Sequence, residues 1–90
     1  MNSVDRRKHK ANAHSLKPVV IIGQLGLTEP VLAEIEIALN VHELIKIKVR
    51  AEREQRKDYA EKICAQTGAE LIQSIGQIIV IYRLNPKITR

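Results

Sequence analysis

The feature that most constrains this chain is the stretch Val19-Val20-Ile21-Ile22-Gly23-Gln24-Leu25-Gly26-Leu27-Thr28. Four successive β-branched residues stopped by a glycine predict a strand. With no polar residue alternating among them, the pattern is that of an interior strand covered on both faces. Thr28 suits a helix N-cap. Glu29 complements the positive end of the dipole, and Pro30 falls in the first turn, where its missing N–H costs nothing. Val31, Leu32, Ile35, Ala38 and Leu39 then recur at helical spacing, which predicts an amphipathic helix over 29–40, with Asn40 able to take a left-handed terminal conformation. A second strand follows over 43–50. Ile45, Ile47 and Val49 point to one face, and Lys46, Lys48 and Arg50 to the other. Three bases in register without an acid between them exceed what a solvated face requires.

The flanks extend this unit. Residues 3–14 read as a helix capped by Ser3, thin in apolar residues and basic on the face of Arg6, Arg7, Lys8 and Lys10. A connector leads to Pro18. Residues 52–67 read as a charge-rich helix whose buried stripe is Tyr59, Ala60, Ile63, Cys64 and Thr67, stopped by Gly68. Two strands, 70–75 and 78–82, are joined by Gly76-Gln77, which suits a tight hairpin turn. The order α-β-α-β-α-β-β implies an α/β sandwich of two or three layers around a mixed sheet. Residues 1–84 form a single domain, and 85–90, from Asn85-Pro86 onward, read as a loose basic tail.

Charge narrows the class of partner. The formal net charge is +5, from 15 bases and 10 acids. Residues 1–17 hold five bases against Asp5, residues 83–90 hold Arg83, Lys87 and Arg90 with no acid, and the stretch between holds seven bases and nine acids. Positive charge gathered at both ends points to a polyanion, nucleic acid or an anionic membrane surface; the bland alternative is that basic ends serve solubility alone. The single cysteine, Cys64, cannot form an internal disulfide. The charged N-terminus lacks the apolar run of a signal peptide, and no apolar stretch approaches the ~20 residues that span a bilayer. A reducing, cytoplasmic setting and no membrane partner are the expectation.

The chemistry available is that of anion binding. A Gly-x-x-Gly loop entering a helix N-terminus offers backbone N–H groups to a phosphate, and its glycines allow close approach. The bland alternative is an ordinary tight turn. A comparable loop clamps the nucleic-acid backbone in KH domains, but there it joins two helices, whereas here it joins a strand to a helix. Neither G-x-x-x-x-G-K-[ST] nor G-x-G-x-x-G occurs. His9, His14 and His42 lack metal-ligand spacing, and Cys64 sits on a buried stripe. Glu52, Glu54, Asp58 and Glu61 lie among Arg53, Arg56, Lys57 and Lys62, a pattern of surface ion pairing rather than of paired catalytic carboxylates. The expectation is therefore no enzyme, no metal, no cofactor and no small-molecule substrate. With only Tyr59 and Tyr82 to stack bases, RNA would be held through phosphates and shape, which suits structured RNA.

The run from Leu16 to Glu29, then Val31-Leu32-Ala33-Glu34-Ile35 and His42-Glu43-Leu44-Ile45-Lys46-Ile47-Lys48, together with Thr67-Gly68-Ala69 and Gly76 to Arg83, resembles the CRM domain (chloroplast RNA splicing and ribosome maturation), in its free-standing bacterial, YhbY-like form. The resemblance covers about residues 4–84. It implies a four-stranded mixed sheet similar to the C-terminal domain of bacterial translation initiation factor three. It also implies association with precursors of the large (50S) ribosomal subunit and a role in ribosome assembly. The family's glycine loop maps onto Gly23, Gln24, Leu25 and Gly26. Many members carry Lys or Arg inside that loop where Gln24 stands here, which shifts weight to backbone amides and neighbouring bases. The expected RNA-binding set is Gly23, Gln24, Leu25 and Gly26 with Arg6, Arg7, Lys8, Lys10, Lys17, Lys46, Lys48 and Arg50, on a monomer bound to ribosomal RNA. The alternative is a protein-interaction module docking on a ribosomal protein or an assembly GTPase.

Overall fold

The computed structural model of the protein describes residues 2–87. Its elements are α1 (Ser3–Ala13), β1 (Pro18–Ile22), α2 (Glu29–His42), β2 (Leu44–Val49), α3 (Arg53–Thr67), β3 (Glu70–Ile75) and β4 (Ile78–Tyr82). The four strands form one mixed sheet in the order β1-β2-β4-β3. β1 runs parallel to β2, with Ile21 beside Lys48 and Ile22 beside Val49; β2 and β3 both run antiparallel to β4. Three helices on a four-stranded mixed sheet is the expected α/β architecture.

The alternation along β2 decides which face is core. Ile45, Ile47 and Val49 join Val20, Ile22, Ile79 and Ile81 in packing against Ile35 and Leu39 of α2 and Ala60 and Ile63 of α3. Burial of each Val, Leu or Ile side chain contributes roughly 1.5–3 kcal/mol, and a core without Phe or Trp needs many of them. α1 lies across the opposite face. There Ala13 meets Ile72 and Val80 beside Leu44, Ile78 and Tyr82, and His9 stacks on Tyr82 with ring centroids 4.0 Å apart.

The expectation of an interior first strand is overturned. β1 is an edge strand, paired only with β2, and Val19 and Ile21 are 48% and 53% exposed. α1 crosses the sheet over β2, β4 and β3 and leaves the outer face of β1 open. A β-branched run without alternation is common to buried and edge strands, and only the long-range pairing separates them.

Smaller corrections concern element ends. Asn2, not Ser3, caps α1, its Oδ1 accepting the Asp5 N–H at 2.8 Å. α2 continues past Asn40 to His42, and it is Glu43 that takes the positive φ of 63°. A non-glycine residue holds that conformation only where its surroundings over-determine it. Here the Glu43 N–H donates to Leu39 O at 2.9 Å, its carbonyl accepts the Arg83 N–H at 3.0 Å, and its carboxylate accepts the Asn85 N–H at 2.6 Å. The tail is accordingly not loose from residue 85, for Asn85 Nδ2 also donates to Asn40 O at 2.7 Å. Arg90, counted among the basic end residues, lies outside the described residues.

Candidate nucleic-acid interface

Because β1 and β2 are parallel, the chain leaves both at the same end of the sheet. The GQLG loop leaves β1 there and Arg50 leaves β2. The two exits are joined, since the Arg50 N–H donates to Ile22 O at 2.9 Å. The Gly76-Gln77 turn is held at this end as well, Gln77 O accepting the Val49 N–H at 2.6 Å. Gly76 has φ +54°, which suits the first central position of a type II′ hairpin turn. Ligands of open α/β sheets gather at the carboxyl ends of parallel strands, and the glycine loop occupies that place here.

The loop is a β-turn. The Gly26 N–H donates to Gly23 O at 3.0 Å, and the Thr28 N–H to Gly26 O at 3.1 Å. Gln24 and Leu25, its central residues, both have negative φ, whereas Gly26 has φ +75°. That is a type I turn closed by a left-handed glycine. The N–H groups of Gln24 and Leu25 have no partner among the described residues and remain free for an anion. Leu25, 90% exposed, forms the tip. Thr28 caps α2 as expected, its Oγ1 accepting the Val31 N–H at 3.4 Å.

The two glycines of the loop have different roles. A Cβ on Gly23 would meet nothing within 4 Å, so that position is open. Gly26 is buried, and a Cβ there would stand 2.7 Å from the Tyr59 hydroxyl oxygen. Gly26 is therefore required by packing and by backbone conformation, and Tyr59 of α3 supports the loop from beneath. Residue pattern alone placed Tyr59 on a core stripe and carried no signal of this second duty.

The bases fall into three groups. Lys46 and Lys48 lie half-buried on the sheet face away from the core, and Arg50 continues their line to the loop. Lys17, Arg7, Lys8 and Lys10 are exposed on α1 and on the connector after it. Arg6 differs, because its guanidinium donates to Leu71 O and lies 3.7 Å from Glu70 Oε2, tying α1 to β3. Arg83 is likewise committed. Its Nη1 donates to Glu36 Oε2 and to Thr67 O, both at 2.8 Å, and its Nη2 to Asn40 Oδ1 at 2.9 Å. Of the ion pairs expected along α3, Asp58 and Lys62 form one at 3.0 Å.

Burial pushes the Cys64 thiol above its ordinary pKa, and the nearby Glu70 charge adds to the shift, so the sulfur stays a protonated core neighbour. Among the described residues, no three His, Cys, Asp or Glu side chains cluster as metal ligands, and no helix is long and apolar enough to cross a membrane.

The family model of the CRS1 / YhbY (CRM) domain matches residues 1–83. The chain belongs to the CRM domain family. Among CRM relatives, a Pseudomonas aeruginosa protein named "Probable RNA-binding protein PA4753" is 51% identical over 83 residues, covering 91% of this chain and 80% of the relative. A Haemophilus influenzae protein named "RNA-binding protein" is 55% identical over 75 residues, covering 82% and 76% of the two chains. The CRM fold is also that of a Staphylococcus aureus protein, SAV1595, solved in solution and described as a candidate RNA-binding protein. Its TM-score is 0.85 at 32% identity, over 99% of this chain and 94% of the other.

Proposed function

We propose that this CRM protein binds structured RNA, specifically ribosomal RNA within precursors of the large ribosomal subunit, and acts there as an assembly factor rather than an enzyme. The observation that carries the reading is the hydrogen bond between Arg50 N–H and Ile22 O, which sets the GQLG loop and a line of cations side by side. A phosphate at the loop would accept from the Gln24 and Leu25 N–H groups, and Gln24 would add a neutral side-chain donor. Arg50, Lys48 and Lys46 would meet the next phosphates along the backbone. Lys17, Lys10, Lys8 and Arg7 would widen the positive field at the α1 side of the sheet, while Arg6 holds that helix in place. The names of the relatives support RNA as the polyanion. Phosphate contacts of this kind position a protein on RNA shape and read little sequence.

The test is sedimentation of the protein, as a cytoplasmic monomer, through gradients of bacterial lysate. The reading expects migration with large-subunit precursors that is lost after ribonuclease treatment. Migration that survives ribonuclease would assign the contact to a ribosomal protein or an assembly GTPase instead.

A further inference from the structure

We propose that the groove between the end of α1 and the start of β1 is a docking site for an extended peptide segment of a partner protein, aliphatic and acidic in alternation. β1 begins only at Pro18, in register with Lys46, and proline has no N–H to offer further back along β2. The start of β2 is therefore left without a strand neighbour on that side. An open groove of about 430 Å³ results, walled by Leu16, Val19, Leu44 and Ile45, with Lys17 and Lys46 on its rim. Beyond it runs the unpaired edge of β1. Ile22 turns its carbonyl toward Arg50, so by alternation the N–H and C=O of Ile21 face outward.

Three observations choose the occupant. Leu16, Val19, Leu44 and Ile45 make the walls chiefly aliphatic, with one imidazole, His42, and no Phe, Tyr, Trp or guanidinium, so the lining suits aliphatic side chains better than a run of stacked nucleobases. No Asp or Glu lines the groove while two lysines do, so charge complementarity asks for carboxylates and disfavours a second copy of a chain that carries +5. An exposed strand edge beside an apolar trough binds extended chain by strand addition, with pockets taking alternate side chains. The groove lies at the opposite end of β1 from the GQLG loop; its rim cations Lys17 and Lys46 are shared with the surface proposed for RNA, but its walls Leu16 and Val19 are not, so the two sites are separable by mutation of the walls.

The test is a titration of isotopically labelled protein, followed by amide chemical shifts. The probes are capped hexapeptides of alternating Glu-Leu, Lys-Leu and Glu-Ser, and hexauridylate. The Glu-Leu peptide should move the Val19, Ile21 and Leu44 amides saturably, and further than any of the other probes does. Val19→Ser, and separately Leu16→Ser, should weaken that binding about tenfold, as loss of one buried aliphatic contact implies, while leaving RNA binding intact. The proposal is overturned if those amides stay still with Glu-Leu at millimolar concentration. It is equally overturned if they move more with hexauridylate, or move with protein concentration alone.

Discussion

The Tyr59 hydroxyl oxygen lies 2.7 Å from the position a Cβ on Gly26 would occupy, so the last residue of the glycine loop and the middle of α3 are fitted to each other. The loop is thereby a rigid part of the fold at one end and open at the other. Substitutions at its two glycines report on different properties.

Gly26→Ala should destabilise the protein by about 2 kcal/mol, from a left-handed backbone that costs a non-glycine residue roughly 1–2 kcal/mol together with the contact to Tyr59. Gly23→Ala should fall within about 0.5 kcal/mol of the parent. Urea unfolding midpoints measure both. Adding Tyr59→Phe to Gly26→Ala removes the clashing oxygen, so the double variant should recover part of the loss. Strict additivity would show that the contact is not the cause.

Arg83 tests whether the basic C-terminal end acts by charge or by structure. Replacement of Arg83 by Met strips hydrogen bonds from Glu36, Thr67 and Asn40 and should cost about 1–3 kcal/mol in thermal or urea unfolding. Lys87→Met removes the same charge from an exposed position and should change stability by less than about 0.5 kcal/mol. Equal effects of the two would reduce Arg83 to a solvated cation.

Cys64 should be a slow thiol. Its pKa is raised, chiefly by burial and then by Glu70, so at any pH below that value the folded protein holds less thiolate than the unfolded chain. Alkylation by iodoacetamide at pH 8 should be slow in buffer and fast in denaturing urea. Comparable rates in the two would place the sulfur in an open, reactive setting.

Much of this arrangement was legible because it is local. Alternation from Ile45 to Arg50 separated the core face from the cationic one, and Thr28, Glu29 and Pro30 marked the start of α2 to the residue. What escaped depended on partners far away in the chain. Arg6 meets Leu71 and Arg83 meets Glu36, separations of 65 and 47 residues, and both arginines read as free surface charge until the sheet brings their acceptors near. The edge position of β1 follows from strand order, to which Val19–Ile22 contribute no local signal. Glu43 carries the positive φ rather than Asn40, because bonds from Arg83 and Asn85 hold it there. At the site, the loop and the basic stripe were each visible, but the bond that seats them together was not.

The loop can be probed without touching the fold. Gln24→Glu adds a negative charge beside the two free N–H groups at an exposed position, so it should leave unfolding unchanged and weaken RNA binding severalfold at low salt, an effect that shrinks as salt rises. A folded Gln24→Glu protein with parental affinity would remove the loop from the interface.

In the proposed function, RNA phosphate is held by the line of cations running from Lys46 through Lys48 to Arg50 beside the GQLG loop. The most direct measurement is the salt dependence of the dissociation constant for a structured ribosomal RNA fragment, in the parent and in Lys48→Ala/Arg50→Ala. With about five phosphates of single-stranded character neutralised, as in the loops of such a fragment, the log-log slope of affinity against salt should be roughly −3.5 in the parent, and it should flatten to about −2 in the double variant, each lost contact removing about 0.7. A folded double variant that keeps the parental slope and affinity would contradict the account.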